Sequence, residues 1–243
     1  MARKILGAFF TIWGGTVFIA SMLVFIIPIW VTGVFPEPVR TAWVIRLCRM
    51  WMSVFFPLSG IRLRISGRQH FKKSENYIVV CNHNSLMDVP LTSPGIPGPN
   101  KTIAKIEMSR IPLFGIIYKR GSVLLDRTKD SSRKQSYLDM KRVLELGMHM
   151  CIYPEGTRNK TAEPLKSFHD GAFRLSFDTG KSIIPCIIRG TRAMLPHDKK
   201  FYFWPGQASM QFLEPVSPAG FENASAFKEH IFKLMWTALE NNN

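Results

Sequence analysis

The sequence predicts an α/β fold, a mixed and largely parallel sheet flanked by helices, with an N-terminal membrane-embedded helical segment. Two patterns carry that expectation. Short apolar runs alternate with helical stretches from about residue 76 onward, and the stretch from Ile5 to Pro36 holds no charged residue. Alternation of the first kind implies a sheet covered by helices, and ligands of such sheets bind beyond the carboxyl ends of the strands. A chain of 243 residues has room for one such domain and a short accessory segment. We divide it into residues 1–60, membrane-anchoring, and residues 61–243, the α/β domain.

As a single helix, the stretch from Ile5 to Pro36 would reach about 48 Å, against about 30 Å of bilayer hydrocarbon. That is too long for one upright span, and Gly14-Gly15 and Pro28 offer places to bend. Arg3 and Lys4 flank the near end, while Arg40, Arg46 and Arg49 flank the far end. Basic flanks mark the cytoplasmic side, so both ends are expected on one side, as in a re-entrant or leaflet-embedded helical pair. A single tilted span is the alternative. A secretory signal would have a shorter apolar core and a small-residue cleavage site, and neither is found. From Ala42 to Leu58, Trp43, Val44, Leu47, Trp51, Val54 and Phe55 recur at helical spacing. This is the pattern of an interfacial amphipathic helix, or of a helix packed on the core.

Asn76 to Cys81 reads as a strand ending at Asn82-His83, followed by a helix from Ser85 to Leu91 capped by Asn84 or Ser85. Pro94 to Pro99 resembles a flexible loop. Thr102 to Ala104 and Val123 to Leu125 read as strands, with Pro112 opening a short helix between them. Ser131 to Leu146 is an amphipathic helix begun by Asp130 or Ser131 and closed by Gly147. Met150 to Tyr153 is the next strand, and Pro154 to Arg158 the loop leaving it. A helix from Asp170 to Thr179 stops at Gly180, and a strand from Ser182 to Ile188, another from Ser209 to Leu213 and a helix from Ala224 to Leu239 close the chain.

The formal net charge of +15 suits anionic lipids, nucleic acids or phosphorylated small molecules. The apolar stretch favours lipid, since a soluble nucleic-acid binder has no use for it, and no nucleic-acid partner is expected. Cys48, Cys81, Cys151 and Cys186 lack metal-ligand spacing, and three lie in apolar runs, so they read as reduced packing residues. That agrees with a domain facing the cytoplasm. No metal site emerges.

Two motifs carry the chemistry. In the first, Asp88 follows His83 by five residues and, one helical turn on, can accept one imidazole N–H. The other nitrogen is then free to take a proton, which makes His83 a candidate general base. In the second, Tyr153-Pro154-Glu155-Gly156-Thr157-Arg158 sets exposed backbone N–H groups beside a planar guanidinium, a pairing that can hold phosphate oxygens. Lys105 and Arg127 border two further strand ends within a stretch, Lys101 to Arg142, that holds 11 Lys/Arg against 4 Asp/Glu. Glu155 can orient Arg158, bind a substrate hydroxyl or serve a purely structural ion pair. The other histidines, His70, His149, His169, His197 and His230, have no partner at suggestive spacing. There is no Gly-x-Ser-x-Gly elbow or cysteine-centred motif, and a base without a protein nucleophile points to direct transfer onto a substrate hydroxyl.

These residues resemble the glycerolipid acyltransferase family, in particular 1-acylglycerol-3-phosphate acyltransferases of the bacterial type. Asn82-His83 with Asp88 matches the NHxxxxD block, and Lys105, Glu107, Pro112, Gly115, Gly121, Asp126 and Arg127 match a second, dispersed block. Tyr153 to Arg158 matches FPEGTR with Tyr for Phe, and Ile184-Pro185-Cys186-Ile187 is similar to a fourth, apolar block. The resemblance runs from about Cys81 to Ile188.

It implies that His83, held by Asp88, deprotonates the sn-2 hydroxyl of lysophosphatidic acid, whose oxygen attacks an acyl thioester. Phosphatidic acid for phospholipid synthesis and a free thiol carrier result. Lys105, Arg127 and Arg158 would bind the phosphate, Gly156 and Thr157 would shape the loop near the reacting carbonyl, and Asn82 and Glu155 belong to the same substrate-binding set. No cofactor is expected beyond the co-substrate, acyl-CoA or acyl carrier protein. The partners are the lipid bilayer and lysophosphatidic acid, and the place is the inner membrane with the catalytic domain on its cytoplasmic face. Rival readings are an acyltransferase acting on glycerol-3-phosphate or another lysophospholipid, and a non-catalytic membrane-bound binder of anionic lipid.

Overall fold

The computed structural model describes residues 2–199 and 202–241. Seven strands form one sheet: β1 (Ile61–Ser66), β2 (Ile78–Cys81), β3 (Asn100–Lys105), β4 (Ser122–Leu125), β5 (His149–Ile152), β6 (Ile183–Arg189) and β7 (Gly206–Phe212). Their order is β1-β7-β6-β2-β5-β3-β4. Every neighbouring pair is parallel except β6 and β7, so the expected mixed, largely parallel sheet is what forms.

Period-two alternation assigns each strand residue to one of two layers. Val79, Cys81, Cys151, Ile184 and Cys186 face one core, whereas Ile78, Val80, Met150, Ile183 and Ile187 face the other. The helices α1 (Ala2–Val31), α2 (Val39–Leu58), α3 (Asp88–Gly95) and α4 (Phe114–Gly121) lie on the side of the first core. The second packs against α5 (Asp130–Glu145), α6 (Gly171–Thr179) and α8 (Ala224–Glu240), and a short α7 (Thr191–Met194) precedes β7. The cysteine thiols are free, and the Cys81 and Cys151 sulfurs lie 3.8 Å apart on adjacent strands.

Four details differ from the sequence expectations. First, α1 runs unbroken through Gly14-Gly15 and Pro28, and the chain reverses only at residues 32–38. Gly14 serves close packing instead of bending, since a Cβ there would come within 3.0 Å of Phe203, as one on Gly7 would within 2.9 Å of the Tyr202 ring, while Gly15 faces open space. Second, the helix after His83 begins at Asp88, because the Asp88 carboxylate accepts the backbone N–H groups of Asn84 and Ser85 and holds them in a turn. Third, Pro94 to Pro99 is no flexible loop. Pro94, Gly95 and Ile96 are buried, and the guanidinium of Arg49 donates to the carbonyls of Pro94 and Ile96. Fourth, β1 is absent from the sequence expectations. Its sequence Ile-Arg-Leu-Arg-Ile alternates cleanly, but only its partner β7 reveals a strand there.

α2 belongs to the same core as the sheet: Trp51, Met52, Phe55 and Phe56 pack with Ile61, Met210 and Phe212. The turn between α1 and α2 is tied to the start of β3 by Glu37, which accepts from Lys101 at 2.8 Å, from Arg40 at 3.0 Å and from the Thr41 hydroxyl at 2.6 Å. Burial alone would raise this carboxyl, but those donors outweigh it and hold the group down at about 2. Residues on either side of position 60 therefore form one packed unit.

Candidate active site

Four parallel strands deliver the motif residues to one edge of the sheet. Asn82-His83 leaves β2, Lys105 ends β3, Arg127 follows β4, and Pro154 to Arg158 leaves β5. The β2 and β5 loops are stitched together by backbone groups. The N–H of His83 donates to Glu155 Oε1 at 2.7 Å, and the His83 carbonyl accepts from the N–H of Asn159 at 2.6 Å.

His83 Nδ1 lies 2.8 Å from Asp88 Oδ2. The same oxygen accepts the N–H groups of Asn84 and Ser85 at 2.7 and 2.8 Å, and Asp88 is wholly buried. An oxygen receiving two backbone donors is an acceptor toward the third, so Nδ1 carries the proton and Nε2 is the basic nitrogen. The ring is held from behind by Tyr153, with centroids 4.4 Å apart, and the Tyr153 hydroxyl is 2.6 Å from Thr92 Oγ1. His83 is thus fixed in position, orientation and tautomer.

The remaining sequence candidates take different places around this edge. Lys105, Arg127 and Arg158 reach the same edge and form no ion pair among the described residues, which leaves them free for an anion. Gly156 has φ +70°, and a Cβ there would sit 2.7 Å from the His169 ring and 3.9 Å from Arg127 Nη1. Only glycine fits that turn, and Arg127 from the β4 loop lies against it. Thr157 is exposed, and its hydroxyl accepts from Lys166 Nζ at 2.7 Å.

Two candidates take other roles. Asn82 is fully buried, donating to the Ile188 carbonyl at 2.9 Å and accepting its N–H at 2.7 Å. It pins the end of β2 to β6, and its side chain is closed to solvent. Glu155 is also buried, with Oε1 on the His83 N–H and Oε2 on the Lys166 N–H at 3.0 Å. It clamps two loops and contacts neither Arg158 nor open cleft, and burial raises its carboxyl above the usual range despite those donors. Sequence spacing misses Thr92, Lys166 and His169, which come to the site through folding from 9, 83 and 86 positions beyond His83 and so leave no local signature.

An apolar cavity of about 430 Å³ runs between the helices beside this edge. Leu86 and Met87 of the histidine motif line it, together with Gly15 and Phe18 of α1, Met52 of α2 and Phe114 of α4.

The family model described as Acyltransferase matches residues 62–189, more than half of the chain. The chain belongs to this family. Among curated relatives, this acyltransferase is 25% identical over 174 residues to the 1-acyl-sn-glycerol-3-phosphate acyltransferase of Haemophilus influenzae, covering 70% of each. It is 28% identical over 165 residues to the alpha enzyme of that name from Mus musculus, and 31% identical over 147 residues to that of Cocos nucifera. Those matches take in 67% and 60% of this chain but 58% and 47% of the relatives, so the chain spans about half the length of these two. The crystal structure of the 1-acyl-sn-glycerophosphate (LPA) acyltransferase from Thermotoga maritima superimposes with a TM-score of 0.82 at 23% identity, covering 98% of this acyltransferase and 97% of that chain. The two share the fold.

Proposed function

We propose that this acyltransferase moves an acyl group from a thioester, carried by coenzyme A or acyl carrier protein, to the sn-2 hydroxyl of 1-acylglycerol-3-phosphate. The observation that carries the reading is the His83–Asp88 pair, with one imidazole nitrogen engaged and the other left basic, at the same sheet edge as three unpaired cations. Nε2 removes the hydroxyl proton as the oxygen attacks the thioester carbonyl, and the thiolate leaves. Asp88 stabilises the imidazolium formed on the way. A positioned base contributes about 10² to 10⁴ in rate, and holding both substrates together supplies much of the rest. Lys105, Arg127 and Arg158 receive the phosphate, for which guanidinium forks are suited. The apolar cavity next to the base accepts an acyl chain, and the names of the relatives support this acceptor.

α1 supports membrane residence. Its outward side exposes Phe9, Ile12, Val24, Ile27 and Trp30, while Met22, Ile26 and Ile29 are buried against the domain. Trp51 Nε1 donates to Ser21 Oγ at 2.8 Å, and Trp13 Nε1 to the Leu58 carbonyl at 2.8 Å. A helix packed along its length on a charged domain lies within one leaflet, because crossing would draw that domain into hydrocarbon. On this reading the enzyme sits on the cytoplasmic face of the inner membrane and meets its lipid acceptor without extracting it, saving about 0.8 kcal/mol per CH₂.

The test is acyl transfer in mixed micelles with both donors and several acceptors. Wild type should prefer lysophosphatidic acid to lysophosphatidylcholine strongly. His83→Ala should abolish turnover while membrane association persists, and Arg158→Ala should raise KM for the phosphomonoester. Retained turnover in His83→Ala would remove the mechanism. Equal rates on the two acceptors would remove the phosphate site.

A further inference from the structure

Outside α1, α2 and the turn joining them, four large apolar side chains are well exposed among the described residues: Leu86, Ile111, Leu113 and Leu138, at 58%, 42%, 47% and 58%. Three of them gather at the cavity. Leu86 lines it, and Ile111 and Leu113 flank Pro112 at the entrance to α4, whose first residue, Phe114, also lines it. Leu138 stands apart on α5, in the opposite layer, with Arg133, Lys134 and Lys141 nearby in its own helix.

The corner is built to present these side chains outward. A Cβ on Gly115 would overlap the carbonyl of Ser109, so the turn before α4 closes tightly, with the Gly115 N–H donating to the Ile111 carbonyl at 2.7 Å. Leu113 is the one non-glycine residue with positive φ, +61°, among the described residues. L residues rarely adopt that conformation, and glycine would relax it. Apolar exposure here therefore coincides with backbone strain and the mouth of the cleft.

The corner is continuous with α1, since the Phe114 and Phe18 rings are 5.9 Å apart. Around it Lys105 and Lys119 are exposed without an ion pair, and Arg110 is exposed beside Asp126; Glu107 is the one other acid on this turn. An apolar tip ringed by cations fits an anionic lipid surface. We infer that the cleft rim is a second bilayer contact, with Leu86, Ile111 and Leu113 entering the leaflet beside α1 and Arg110 and Lys119 meeting its headgroups. The inference rests on the leaflet-embedded reading of α1 and extends it to the α/β domain. An acyl chain then passes from leaflet to cavity without crossing water.

The experiment uses the full chain in vesicles of phosphatidylethanolamine and phosphatidylglycerol. A polarity-sensitive fluorophore is attached at Leu113→Cys, Ile12→Cys or Leu138→Cys in a Cys48→Ser background. The probe at 113 should be quenched by spin-labelled acyl chains to within about twofold of the probe at 12, and be shielded from iodide. The probe at 138 should remain open to iodide. If 113 behaves like 138 while 12 is quenched, the rim contact is wrong and the α1 reading stands. If 12 is also unquenched, both fall. Protection at 113 that requires acyl carrier protein and not lipid would overturn the choice of partner.

A kinetic arm guards against misfolding. Leu113→Gly relaxes the backbone and deletes the side chain, so it should melt no lower than wild type. It should nevertheless raise KM about fivefold or more for lysolipid presented in bilayers, while leaving KM for a water-soluble short-chain lysolipid unchanged. An unaltered KM on both acceptors would overturn the inference.

Discussion

Replacing Asp88 by Asn tests whether the carboxylate charge, and not merely the side-chain shape, drives catalysis. Oδ2 holds three donors, whereas the buried Oδ1 has no protein partner. Asparagine can therefore keep its oxygen in the Oδ2 position and place its amide where Oδ1 lies, so the His83 tautomer and the turn survive. What is lost is the negative charge facing the imidazolium formed as the proton moves. Opposite charges with centres about 4 Å apart interact by about 4 kcal/mol at an effective dielectric of about 20, which corresponds to about a thousandfold in rate. Turnover, followed as thiol release from the acyl donor, should therefore slow by roughly two to four orders of magnitude with little change in either KM. Leaving the new amide without an acceptor and weakening three charge-assisted bonds should also cost about 1–3 kcal/mol of stability. Adding Asp88→Asn to His83→Ala should slow turnover little further, because without the imidazole the carboxylate has no imidazolium to stabilise. A variant folded as wild type and turning over within about tenfold of it would refute the carboxylate-steered base.

Three further outcomes are expected. Gly156→Ala must adopt φ +70° and push the His169 ring away; a loss of about 1–3 kcal/mol with at least tenfold lower kcat/KM should follow, and unaltered melting and activity would contradict the packing described. Glu37 has its carboxyl depressed to about 2 from 4.5, so its stabilisation is present above pH 4.5 and is lost as pH falls toward 2. Glu37→Gln should cost about 2–3 kcal/mol at pH 7 and nearly nothing near pH 2, and a difference independent of pH would rule this out. His149 is held neutral by burial, its imidazole pushed down to about 4 from 6.5. The unfolded chain takes up a proton first, so the wild type should lose stability as pH falls from 6.5 to 4. His149→Gln should flatten that slope in thermal melts, and an unchanged slope would assign the acid sensitivity elsewhere.

The elements with strong local signals are legible in the chain itself. Helix α5 has its periodicity and Gly147, α6 has Gly180 in the left-handed region, and β2, β5 and β6 are unbroken apolar runs. β1 is not, because a short strand rich in arginine becomes a strand only by pairing with β7, about 145 positions later. The path of α1 escapes a local reading for a related reason: glycine signals flexibility in a sequence, whereas Gly7 and Gly14 make room here for Tyr202 and Phe203.

The site shows the same division. By itself the sequence determined the chemistry on offer, a histidine with a carboxylate one turn away and a glycine-arginine loop, because short spacings on one segment translate directly into local geometry. It also pointed toward lipid, since a stretch from Ile5 to Pro36 without charge has the length and composition of a membrane helix. Only tertiary structure decided which polar residues stay open at the sheet edge and which hold the frame. Asn82 and Glu155 sit inside the motifs yet spend every hydrogen bond on neighbouring strands and loops, while Thr92 and His169 arrive from outside them. Burial and partnership are properties of packing, and packing depends on segments far apart along the chain.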